Sequence, residues 1–140
     1  LGTQAYTRKL VEQSGYFVVH IPTAQQMETV LYVGEHSKNT MPNKLDNLPL
    51  FYQEGVDIPM VEGSAGYLVC QVIPNPQQEQ NYDSFMGEIV AAWADDRVFD
   101  GRHWLFDTAP DELRTVHYVA GGQFYAIGKG TKFDHGPGQD

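Results

Sequence analysis

Between residues 16 and 127 the apolar residues of this chain fall into short runs rich in β-branched and aromatic side chains, separated by turn-forming stretches. The pattern predicts strands over 16–21, 58–61, 66–73, 84–93, 116–120 and 123–127. Pro22 ends the first, because proline has no N–H to give a sheet ladder. Gly121-Gly122 joins the last two in a tight hairpin that needs positive backbone angles. Only two early intervals read as helices, and no βα alternation follows them. The expectation is a mainly β, antiparallel fold, a closed or split barrel with short helical insertions.

The first helix is expected over 7–15, with Thr7 near its start and Gly15 as its stop. The second begins at Thr23 with a capping-box pattern to Gln26, carries Met27, Val30 and Leu31 on one stripe, and closes at Gly34. From 35 to 55 periodicity fails, leaving an irregular excursion with one helical turn near 44–46. Alternation in the strands puts Leu68, Cys70 and Val72 on one core face, and Phe85, Gly87, Ile89, Ala91 and Trp93 on another. The stretch 74–83 reads as a polar connection, and a second irregular stretch runs to Arg114. Residues 1–128 form the expected domain and 129–140 a flexible, glycine-rich tail.

A chain of 140 residues with 41% hydrophobic and 19% charged residues can bury one core. Aspartate and glutamate outnumber lysine and arginine 18 to 9, so the average field repels nucleic acid and anionic membrane surfaces. An anionic ligand therefore needs a local cluster of cations and amides. No apolar run approaches the ~20 residues of a membrane span. A single cysteine, Cys70, forms no intrachain disulfide and suits a reducing compartment, the cytoplasm.

The five histidines lack metal-ligand spacing, so no metal site is expected. His20 and His117 lie inside strands and read as hydrogen-bonding groups; Cys70, on an apolar face, reads as a small buried hydrophobe. No Gly-x-Ser-x-Gly elbow, P-loop or dinucleotide fingerprint is present, and no side chain is assigned a catalytic role. What remains is Tyr6-Thr7-Arg8-Lys9 at the opening of the first helix. Unpaired first-turn amides, the positive dipole end, a hydroxyl and an arginine fork together suit a terminal phosphate.

Four motifs in order carry a family resemblance. Residues 6–10 with 14–22 resemble the "T-R-x-L-I-x-x-S-G-E-F-V-V-N-I-P" segment of flavin reductase-like proteins, the flavoredoxin group above all. Residues 67–73 are similar to that family's "Y-L-E-C-R-V" strand, 87–95 to "G-E-V-V-A-A", and 118–128 to the closing "Y-x-G-G-x-Y-Y-x-L-G". The resemblance implies a Greek-key, FMN-binding split β-barrel, usually a homodimer, with the flavin in a groove at the subunit interface. It puts Tyr6, Thr7 and Arg8 on the phosphate side, next to the Lys9 read from the helix start, and brings Ser37 and Lys44, from the loop after the second helix, toward the flavin. Relatives carry a further pair of strands before the first helix. The sequence starting at Leu1 therefore corresponds to the later part of the domain, and alone it is expected to bind FMN weakly.

The function implied is a flavoprotein in which the cofactor does the redox chemistry and the protein orients it. Two roles follow from the resemblance: an NAD(P)H-dependent flavin oxidoreductase, with a nicotinamide as donor, or a non-enzymatic electron carrier serving a redox protein partner. A related split barrel holding pyridoxine phosphate or haem is a third, more distant reading.

Overall fold

The computed structural model describes residues 1–138. In chain order the elements are α1 (Tyr6–Ser14), β1 (Tyr16–Ile21), α2 (Met27–Glu35), β2 (Leu50–Phe51), β3 (Met60–Val61), β4 (Gly66–Ile73), α3 (Pro76–Tyr82), β5 (Met86–Ala94), β6 (Val116–Ala120) and β7 (Gln123–Ala126). They form a three-stranded antiparallel sheet in the order β1-β4-β5 and two antiparallel ribbons, β2-β3 and β6-β7. The architecture is mainly β with few helices. The sheet does not close on itself among the described residues, so the barrel expected from the sequence is not formed by these strands alone.

Helix α1 ends at Gly15, whose N–H returns to the Val11 carbonyl at 2.8 Å, and β1 starts at the next residue. Val11 is buried on the inner side of the helix. Between β1 and α2 the expected capping pattern is present: Thr23 N–H donates to Gln26 Oε1 at 3.1 Å. The same carboxamide is held from its other end, because Gln26 Nε2 donates to the Glu62 carbonyl at 2.8 Å and Ser64 Oγ donates to Gln26 Oε1 at 3.1 Å. Thr23 Oγ1 adds a bond to the Gly63 carbonyl at 2.7 Å. Four polar groups buried beside one another are thus all paired, as burial requires.

Several expectations are corrected. Helix α2 continues past Gly34 to Glu35. The stretch 74–83 contains α3, with Pro76 in its first turn and Asn75 Oδ1 accepting from Gln78 N–H at 3.2 Å. The excursion 35–55 includes β2, which pairs with β3. On β4 the buried side chains are Tyr67, Val69 and Cys70, while Leu68 and Val72 are half-buried. Alternation fails there for two reasons: β4 is the central strand, flanked on both sides, and its register with β5 shifts between Val69 and Cys70. The shift leaves Val90 without a partner and Ile89 57% exposed, so the single face expected on β5 is broken.

Gly87 is required by packing. A Cβ there would stand 2.6 Å from Phe17 Cζ and 2.9 Å from Cys70 Cβ. The β6-β7 hairpin turns as expected through Gly121 and Gly122, at φ 60° and 83°, angles that side-chain-bearing residues rarely adopt. The second irregular stretch supplies core: Ala65, Val98, Ala109 and Leu113 pack together with Ile21 and Phe106. Residues 127–136 carry no helix or strand.

Candidate functional site

The first turn of α1 presents amides that no preceding turn can accept, since the N–H groups of Tyr6 and Thr7 precede the first i−4 carbonyl of the helix. Thr7 and Lys9 are exposed beside them, and Tyr6 is half-buried. The loop after α2 folds onto this helix end. Asn39 Nδ2 donates to the Gln4 carbonyl at 2.9 Å, Lys9 Nζ reaches Asn39 Oδ1 at 3.5 Å, and the Lys38 ammonium lies 5.5 Å from the centre of the Tyr6 ring. Two ammonium groups therefore stand at the contact of the loop with α1, and Thr7 and the first-turn amides lie at the same end of the helix, in a chain whose net charge is -9. That donor set suits a phosphate or another anion.

Beside it lies a cleft of about 420 Å³, lined by Leu1, Thr7, Val11, Phe17, Val18, Asp83, Ser84 and Phe85. Thr7 lies in the first turn of α1 and also lines this largely apolar cleft, so the helix end borders it. This combination fits a ligand with a charged end and a planar apolar body.

The other expected site residues are engaged differently. Arg8 is buried, and its guanidinium is held by four protein acceptors: Glu12 Oε1 at 2.9 Å, Asp83 Oδ1, and the carbonyls of Leu1 and Glu79 at 2.8 Å. Its carbon lies 5.3 Å from the centre of the Phe85 ring. The carboxylate of Glu12, then that of Asp83, raise its pKa above the ordinary value. Arg8 thus clamps α1 to the turn between α3 and β5, instead of presenting the open fork expected from the sequence. Lys44 donates to the carbonyls of Val33 at 3.0 Å and His36 at 2.5 Å, closing the C-terminal end of α2. Ser37 Oγ accepts from Asn39 N–H at 3.2 Å and so shapes the turn that presents Lys38 and Asn39. Those last two residues were not singled out from the sequence. Their adjacency to Ser37 was the one available signal, and it says nothing about contact with a helix thirty residues earlier.

His20 and Cys70 are structural, as read from the sequence. His20 Nε2 accepts from Val61 N–H at 3.0 Å, and burial lowers its pKa. Cys70 is 5% exposed, and burial raises its thiol pKa. Among the described residues no group of three metal-ligating side chains is placed to hold an ion, and no helix is long and apolar enough to cross a membrane.

The family described as "Flavin reductase like domain" matches residues 1–119. The chain belongs to the flavin reductase-like family. It is 45% identical to the crystal structure of an FMN-binding domain of a flavin reductases-like enzyme from Shewanella baltica OS155, with a TM-score of 0.92 over 96% of this chain and 71% of that one. The flavoredoxin of Desulfovibrio vulgaris (Miyazaki F) shares the fold, at 21% identity and a TM-score of 0.72 over 99% of this chain and 73% of that one. Among curated proteins, the uncharacterized protein YddH of Escherichia coli K12 is 31% identical over 126 residues, 89% of this chain. The chain spans 66% of the length of YddH and 58% of that of a relative from Archaeoglobus fulgidus.

Proposed function

We propose that this flavin reductase-like chain binds FMN, with the phosphate at the start of α1 and the flavin body along the adjoining cleft. The observation that carries this reading is the position of Thr7, shared by the cationic helix end and the apolar cleft. Thr7, Lys9, Lys38 and the first-turn amides would hold the phosphate, with Tyr6 supporting Lys38. Ser37 shapes the loop, while Arg8 and Lys44 hold the helix and loop in place. The resident flavin supplies the redox chemistry. The chain's own residues bind and orient it, and no side chain is assigned to the electron transfer.

The activity we infer is that of an NAD(P)H-dependent flavin oxidoreductase in a reducing compartment such as the cytoplasm. A carrier role between protein partners is the second reading, favoured by the likeness of fold to a flavoredoxin. We further propose a homodimer with a completed split barrel. The three-stranded sheet ends on β5, which exposes Met86, Ile89 and Val90, and the β6-β7 ribbon exposes Tyr118, Val119 and Tyr125. A lone two-stranded ribbon with that much apolar surface is marginal in water.

Fluorescence titration compares FMN with riboflavin, which lacks the phosphate. FMN is expected to bind at least about tenfold more tightly, and Lys9→Ala with Lys38→Ala to remove most of that difference, more so at low salt. Equal affinity for the two flavins would overturn the phosphate assignment. Oxidation of NADH and NADPH with FMN present separates reductase from carrier, and sedimentation reads the oligomeric state.

A further inference from the structure

At the other end of the sheet lies a second cavity, of about 400 Å³, that the flavin reading does not use. The β2-β3 ribbon walls one side with Phe51 and Met60; Tyr67 of β4 and Trp93 of β5 line it as well. Met60 is fully buried and Tyr67 is 8% exposed. Phe51 meets Tyr67 edge to face, with ring centres 5.4 Å apart. A cavity of ~150 Å³ already admits benzene, so this one has room for a single substituted ring or a bicycle.

The polar groups around it divide into committed and uncommitted. The Tyr67 hydroxyl donates to the Val61 carbonyl at 2.6 Å and accepts from Ser64 N–H at 3.2 Å, leaving only its ring for a ligand. Ser64 Oγ donates to Gln26. Both carboxylate oxygens of Asp95 are taken by Arg97, at 3.0 and 2.6 Å, which cancels that pair of charges. Gln53 and Glu62 also line the cavity, and among the described residues neither side chain has a hydrogen bond or ion pair. An aromatic interior therefore opens on a rim with one uncompensated carboxylate and one amide.

We propose that this cavity binds a small planar aromatic cation, of which an aryl amidinium is the simplest form. The ring would lie among Phe51, Tyr67 and Trp93, whose π faces attract positive charge, and the amidinium would meet the acceptors of Glu62 and Gln53. An aromatic carboxylate of the same shape would meet Glu62 with like charge and is disfavoured.

The test uses benzamidine, with benzamide and benzoate as the neutral and anionic isosteres. Trp104→Phe leaves Trp93 as the remaining one of the two tryptophans, so its emission reports on the cavity. Benzamidine is expected to give a saturable change with Kd near ~1 mM, as befits a fragment of this size, followed by benzamide and then benzoate. Glu62→Gln is expected to weaken benzamidine about fivefold, the value of a partly exposed charge pair. In the unsubstituted chain, the methyl resonance of Met60 is expected to shift on addition of benzamidine, which guards against misfolding of the Trp104 variant. Presaturation with FMN is expected to leave the benzamidine affinity unchanged. No saturable response, equal binding of benzoate, insensitivity to Glu62→Gln, or displacement by FMN would each overturn the proposal.

Discussion

His20 Nε2 accepts a hydrogen bond from the N–H of Val61 at 3.0 Å, so one side chain of β1 holds the edge of the β2-β3 ribbon. Tyr67 holds the same residue by its carbonyl and meets His20 edge on, with ring centres 5.1 Å apart. A protonated imidazole would present N–H to N–H and lose this bond. Burial accordingly lowers the His20 pKa below its ordinary 6.5, against a smaller opposing effect of the Val18 backbone. The unfolded chain then binds the proton more readily. The stabilisation is fully present above about pH 6.5 and is lost as pH falls from there through the lower folded value. Urea unfolding at pH 7.5 and pH 5.5 should show the loss. His20→Gln, which keeps an acceptor that does not titrate, should flatten the slope in that window. A slope unchanged in the variant would assign it to other groups.

Gly87 has Phe17 and Cys70 where its side chain would be. Gly87→Ala forces β1 and β5 to repack around β4, and overpacking of this kind costs about 1–3 kcal/mol. Chemical denaturation of the variant should show a lower midpoint with an unchanged slope. Phe17→Leu in the same chain should recover part of the loss, because the nearest clash is with the distal atoms of that ring.

The parts of the fold that were legible are those where local chemistry decides. Gly15 and Gly121-Gly122 bound their elements because glycine admits the positive φ found there, and Pro22 because it has no N–H to give a ladder. Helix α3 was not legible: Gln77, Gln78, Gln80 and Asn81 give it no apolar stripe, and its signal was only the Asn75-Pro76 start. The β4-β5 register shift belongs to the pairing of two strands, so neither strand shows it alone. At the candidate site, the helix start was readable from Tyr6, Thr7 and Lys9. The engagement of Arg8 was not, since its acceptors Glu79 and Asp83 lie 71 and 75 residues away. Lys38 and Asn39 reach α1 only through the folding of a loop without periodicity.

Lys44 fastens that loop by donating to the carbonyls of Val33 and His36, while the Tyr32 hydroxyl donates to the Lys44 carbonyl at 3.0 Å. Lys44→Met retains the aliphatic stem and removes the donor from two carbonyls at the end of α2. The expected cost is about 1–2 kcal/mol. Hydrogen exchange should quicken first over 33–46, where the fastening is lost, with β1 and β4 unchanged. Uniform quickening across the sheet would mean that Lys44 holds more than this loop.

Arg8 separates a positioning role from direct contact with a ligand. Its guanidinium bridges α1 to Asp83 and to the Glu79 carbonyl, so Arg8→Ala should lower the melting temperature by about 3–6 °C. Any loss of FMN affinity should then follow from the shifted helix. The partner variant decides the matter. Asp83 sits in the left-handed region at φ 52°, which asparagine also tolerates, so Asp83→Asn removes the carboxylate charge without new backbone strain. If Arg8 acts by positioning α1, Asp83→Asn should lower flavin affinity in the same direction as Arg8→Ala, and the double variant should be no worse than the poorer single one. If Arg8 instead contacts phosphate directly, releasing it from Asp83 should leave affinity unchanged or raise it, while Arg8→Ala alone weakens binding. Flavin titrations of the three variants, each beside its thermal melt, distinguish the two outcomes.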